Sequence, residues 1–133
     1  MIKKLDHVGI AVADIDRAIG IYKALGLEET HREAVATQRV KAAFLPLGGT
    51  RLELLEPTAE DSPIARFLHK RGPGIHHLCF AVDDLDGTIE ELASAGYRLL
   101  NRQAVPGADG KRVAFLHPEA GNGVLIELSE DGD

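Results

Sequence analysis

The chain has 133 residues, enough to bury a hydrophobic core, and a length that fits one domain. Its hydrophobic fraction of 44% is near the globular average and excludes a disordered or fibrous chain. A net charge of −6, only four Phe and two Tyr, and no basic run longer than two residues exclude a nucleic-acid or anionic-membrane surface.

Residues 5–12 alternate, with Val8, Ile10 and Val12 on one face and His7, Gly9 and Ala11 on the other, the period of a half-buried strand. Asp14 is placed to cap a helix running through about Leu25, with Ile15, Ala18, Ile19 and Tyr22 on one stripe, and Gly26 ends it. Strands are expected at 27–36, 39–47 and 50–56, the last two joined at Gly48-Gly49. Residues 58–73 read as a connector with a short helix from Pro63 to Lys70, capped by Ser62.

The same order then recurs. A strand covers 75–82, a helix capped by Asp84 runs to Ala95, and Gly96 stops it. Strands follow at 97–103, 111–117 and 123–129, with turns at 107–110 and 121–123, and a polar tail from Ser129 to Asp133 expected to fray. The reading is one α+β domain over residues 1–133, built of two tandem βαβββ modules at about 3–57 and 74–130. Each module covers one sheet face with its helix, so the two can form a cupped mixed sheet around a central site.

The recurrence is visible residue by residue. The stretch from Leu5 to Asp16 reappears seventy positions later from Ile75 to Asp86, aligning His7 with His77. Leu52-Glu53-Leu54 answers Ile126-Glu127-Leu128. Each glutamate lies between apolar residues, so it points away from their face and onto that of the histidines. A lone strand histidine is ordinarily structural and a lone strand glutamate ordinarily solvated. A carboxylate buried in an apolar strand, however, needs a partner, and here both residue types recur together. His7, Glu53, His77 and Glu127 are therefore the expected metal ligands. Two imidazoles and two carboxylates suit a borderline or hard divalent ion, Co²⁺ or Mn²⁺ first, with Ni²⁺, Zn²⁺ or Fe²⁺ as alternatives.

Other groups fit blander roles. His76 has the opposite parity to His77 and is expected to pack or cap; His117 ends a strand; His31 and His69 are expected to be exposed. Cys79, the single cysteine, has apolar neighbours that disfavour a nucleophilic thiolate and cannot form an internal disulfide, which suits a reducing cytoplasm. No phosphate-loop spacing is present. No apolar run approaches about 18 residues, and no signal-peptide core follows Met1-Ile2-Lys3-Lys4, so neither membrane nor secretion is expected.

Four segments carry a further likeness: Asp6 to Val12, Gly48 to Pro57, Gly74 to Leu78, and Phe115 to Pro118 with Gly123 to Leu128. Over essentially the whole chain they resemble the vicinal oxygen chelate (glyoxalase/bleomycin resistance/dioxygenase) superfamily, whose members pair βαβββ modules around a metal. More closely, they resemble its methylmalonyl-CoA epimerases. The resemblance implies metal ligands at His7, Glu53, His77 and Glu127, the four that the repeat selects. It implies an acyl-CoA substrate, interconversion of the (2R) and (2S) forms of methylmalonyl-CoA by proton abstraction at C2, and a homodimer. Glu127 is the expected acid–base residue. Epimerisation needs a second one, and the glutamate that serves in part of the family falls here at Ala42. Glu53 or a relayed water are the options that remain. Lys111, Arg112, Arg98 and Arg102 are possible contacts for the phosphates of coenzyme A. A glyoxalase I-like lactoylglutathione lyase, which shares the ligand set, and a non-catalytic binding module are the alternatives.

Overall fold

In the computed structural model, which describes residues 1–131, eight strands and four α-helices make a mixed α+β fold. Their order is β1 (Ile2–Ala11), α1 (Ile15–Ala18), α2 (Gly20–Ala24), β2 (His31–Val35), β3 (Val40–Leu47), β4 (Thr50–Pro57) and α3 (Pro63–Arg71). There follow β5 (Gly74–Val82), α4 (Leu85–Ser94), β6 (Val105–Pro106), β7 (Arg112–Leu116) and β8 (Leu125–Glu130). The chain divides into two compact units, His7–His76, and Met1–Asp6 with the residues from His77 on. Among the described residues no helix is long and apolar enough to cross a membrane.

In the first unit the strand order is β2-β3-β4-β1, with β1 parallel to β4 and the other pairs antiparallel. In the second it is β5-β8-β7-β6, again with one parallel pair, β5 and β8. The cores repeat with the sequence. Val12, Ile15, Ile19, Ala43, Leu45 and Leu54 are buried together in one unit. Val82, Leu85, Ile89, Ala114, Leu116 and Leu128 are their counterparts in the other. Ile10 and Phe80 pack against these clusters, so the strand parity expected at 5–12 and 75–82 holds. Leu52 and Ile126 do the same, which turns Glu53 and Glu127 to the opposite sheet face.

Each module ties its helix to its sheet by the same device. Asp14 caps α1 through the Asp16 amide at 2.9 Å, and Asp84 caps α4 through Gly87 at 3.1 Å. A glutamate near the end of the module's last strand then accepts from the first helical amide: Glu56 from Ile15 at 2.8 Å, and Glu130 from Leu85 at 2.9 Å. A carboxylate on an otherwise unpaired N-terminal amide makes a charge-assisted bond. Glu56→Ala should therefore cost about 1–2 kcal/mol. A urea midpoint within error of the wild type would rule that role out.

Several elements depart from expectation. The helix expected from Ile15 to Leu25 is broken after Ala18, where Gly20, the poorest helix former after proline, follows Ile19. The strand expected at 27–36 is only His31–Val35. The strand expected at 97–103 does not form, leaving a single bridge between Leu99 and Leu116. Asn101 explains the loss: its side-chain oxygen takes the Phe115 amide at 2.9 Å and its nitrogen donates to Gln103 at 2.7 Å. Such local bonds compete with a strand ladder. The tail is also more ordered than expected through Glu130, because Ser129 is buried in β8 opposite Ala81 and Val113. Gly132 and Asp133 lie outside the described residues.

Candidate metal centre

In the unit His7–His76, β1 and β4 run side by side with Gly9 opposite Glu53. His7 Nδ1 lies 3.0 Å from Glu53 Oε2, and both side chains are buried. Arg51, two residues before Glu53 and so on the same face, approaches the same oxygen with Nε at 2.9 Å and Nη2 at 2.8 Å. On β3 Phe44 stands directly opposite Glu53, and the Arg51 guanidinium lies 4.6 Å from its ring centroid.

The other unit repeats the motif. Cys79 on β5 and Phe115 on β7 stand opposite Glu127 on β8, in the places of Gly9 and Phe44. His77 Nε2 is 3.0 Å from Glu127 Oε1, and both are buried. Each unit thus brings together the histidine and glutamate that the repeat selected.

The pairs suit a metal in chemistry and in spacing. Two donors about 2.1 Å from one octahedral ion and at right angles to each other are about 3.0 Å apart, the separation seen in both pairs. Buried imidazole and carboxylate groups suited to a divalent metal are therefore present in each unit.

His76, His117 and Cys79 find the ordinary roles foreseen for them, whereas Lys111 and Arg112, read as possible coenzyme A contacts, are engaged within the fold. His76 packs edge-on against Phe67, with ring centroids 5.1 Å apart. His117 accepts the Glu119 amide at 3.0 Å. Cys79 is a buried thiol. Lys111 is bound to Asp6 at 2.6 Å, and Arg112 to Asp86 and Glu130, each at 2.8 Å, so these cations serve the fold. Arg51 was not picked out in the sequence, although its parity with Glu53 is the signal that could have found it. Phe44 and Phe115 carry a comparable signal, a repeated aromatic one strand from each glutamate.

The sequence pattern of the glyoxalase/bleomycin resistance protein/dioxygenase superfamily matches residues 6–115. The chain belongs to that superfamily. Within the superfamily it is 42% identical to the ethylmalonyl-CoA/methylmalonyl-CoA epimerase of Cereibacter sphaeroides, over 98% of this chain and 99% of that one. The crystal structure of methylmalonyl-CoA epimerase from Mycobacterium tuberculosis superimposes with a TM-score of 0.95 at 43% identity, covering 99% of this chain and 90% of that one. A methylmalonyl-CoA epimerase solved with methylmalonyl-CoA and NH4+ gives a TM-score of 0.94 at 37% identity, over 98% and 96% of the two chains.

Proposed function

We propose that the protein is a divalent-metal-dependent epimerase that interconverts (2R)- and (2S)-methylmalonyl-CoA. The observation that carries this reading is the full-length likeness to an epimerase that holds methylmalonyl-CoA. The duplicated buried His–Glu pair supports it by offering the donors that the chemistry calls for.

In this reading the two modules act as one domain, and His7, Glu53, His77 and Glu127 hold a single ion, Co²⁺ or Mn²⁺. When bound, such an ion supplies Lewis-acid stabilisation of the negative charge that builds on the thioester oxygen as C2 loses its proton. His7 and His77 are neutral donors, and Glu53 and Glu127 balance the ion's two positive charges. Glu127 takes the C2 proton from one epimer and returns one to the enolate in the reverse direction. Gly9 and Cys79, both small, stand opposite the two glutamates in the sheet.

The test is isotopic. (2S)-methylmalonyl-CoA incubated in D₂O with Co²⁺-loaded protein should gain deuterium at C2 and become a mixture of epimers. Treatment with EDTA should stop both processes, and added Co²⁺ or Mn²⁺ should restore them. Substrate recovered unlabelled from the metal-loaded protein would end this proposal.

A further inference from the structure

The two units repeat the histidine, the glutamate and the facing phenylalanine, but they do not repeat Arg51. Two residues before Glu53 the first unit has this arginine, whereas two residues before Glu127 the second has Leu125. Duplication therefore builds the His–Glu pair without a guanidinium, and the arginine belongs to one unit alone.

Its setting within the unit His7–His76 is well defined. Arg51 Nε donates to Glu53 Oε2 at 2.9 Å, and Nη2 lies 2.8 Å from the same oxygen. His7 Nδ1 lies 3.0 Å from that oxygen as well. The guanidinium carbon is 4.6 Å from the centre of the Phe44 ring, which supports it by a cation–π contact. Phe44 is fully buried, while the Arg51 side chain keeps 16% of its surface open. A fixed ring thus holds a guanidinium that still meets solvent.

The plainer role for Arg51 is to offset the charge of a buried carboxylate. Leu125 shows that the repeat does not require a cation at this place. A further role follows from distance. An ion bound at Oε2 lies about 2.1 Å from it, which puts both guanidinium nitrogens within about 5 Å of that ion. A ligand carboxylate with one oxygen on the ion can place its other oxygen on a guanidinium at that range. The guanidinium is a planar fork of N–H donors, and its Nη1–Nη2 edge matches a carboxylate with two parallel bonds.

We propose that Arg51 is the residue that selects a 2-carboxyacyl thioester, binding the free carboxylate of the substrate beside the metal held by His7 and Glu53. This rests on the epimerase reading above. The carboxylate is the one group that methylmalonyl-CoA has and propionyl-CoA lacks, so a contact to it separates the two esters. C2 is bonded to both the carboxylate carbon and the thioester carbon. Holding the carboxylate at Arg51 and the thioester oxygen at the ion therefore also holds C2 in place for proton transfer.

The experiment measures affinity and not turnover. Full-length Co²⁺-loaded protein is titrated in a calorimeter with the equilibrated epimers of methylmalonyl-CoA and, separately, with propionyl-CoA. The wild type should bind methylmalonyl-CoA the more tightly; if it binds neither ester, the epimerase reading itself fails. Arg51→Leu should bind Co²⁺ at unchanged stoichiometry and lose about 10–100-fold in affinity for methylmalonyl-CoA, the loss of a charge-assisted pair. Its affinity for propionyl-CoA should not change. Arg51→Lys keeps a cation beside Glu53 without the fork and should fall between the two. It gives the same reading should Arg51→Leu fail to fold. Equal affinities for the two esters in the wild type, or a preference that survives undiminished in both variants, would overturn the assignment. So would an equal loss for both esters, or loss of Co²⁺ binding in both variants, since Arg51 would then serve only to hold Glu53.

Discussion

Replacing His77 by alanine should abolish stoichiometric binding of Co²⁺ or Mn²⁺ and lower epimerisation by at least about 1000-fold. The size follows from what the side chain does. It is buried, its Nε2 is 3.0 Å from the Glu127 carboxylate, and it supplies one of two nitrogen donors in the proposed set. Loss of an outer partner to a metal ligand already costs about 10–100-fold in affinity, and loss of the ligand costs more. The rate follows the metal, because removing preorganised stabilisation of a developing oxyanion costs about 100–1000-fold by itself.

Binding also has a reading that does not depend on turnover. An ion that binds only the folded state raises the unfolding temperature in proportion to the logarithm of its concentration. Added Co²⁺ should raise the melting temperature of the wild type and leave His77→Ala where it was. His76→Ala is the matched control: it alters the preceding residue of the same strand, whose ring packs on Phe67, and leaves the proposed metal donors in place. A His77→Ala protein that still binds one equivalent of metal would refute the ligand assignment. Equal loss in both variants would mean that strand integrity, and not coordination, had been measured.

The contrast between His76 and His77 also shows why so much of the centre is legible in the sequence. Strand parity is a two-state variable, and the repeat reports it twice for each site. Leu52 and Leu54 must face the helix, so Glu53 cannot, and the same logic binds Ile126, Leu128 and Glu127. The cores are legible for the same reason, since Val12, Ile15 and Ile19 recur as Val82, Leu85 and Ile89. What the sequence hides are contacts decided by a single side chain. Asn101 replaces a strand with two local hydrogen bonds. Arg51 reaches a carboxylate two residues away. That His31 stands opposite Phe44 depends on the register of β2 with β3, which periodicity within β2 alone does not set.

A second large effect is expected away from the proposed ligands, at the pair formed by Asp6 and Lys111. Lys111 Nζ lies 2.6 Å from Asp6 Oδ1, across 105 positions of sequence, and the Asp6 side chain is only 3% exposed. Asp109 and Gly110, both with positive φ, make the turn from which Lys111 enters β7. Asp131, at 3.6 Å and 82% exposed, adds little as a solvated partner. Lys111→Met keeps most of the apolar stem but removes the cation that lies 2.6 Å from a buried carboxylate. Breaking such a pair on one side costs about 3–5 kcal/mol, and unfolding in urea should register a loss in that range. Removing both charges tells the burial penalty from simple loss of packing. The double variant Asp6→Leu with Lys111→Met should recover most of the stability, since two apolar groups of similar size need no compensation. A single variant within about 1 kcal/mol of the wild type would mean that water reaches Asp6 and that the pair is ordinary surface charge. A double variant no better than the single would place the loss in the shape of the 107–111 turn. Because Asp6 immediately precedes His7, the pair also has a consequence for the centre. If Lys111 anchors the strand there, Co²⁺ affinity should fall in the single variant and return in the double.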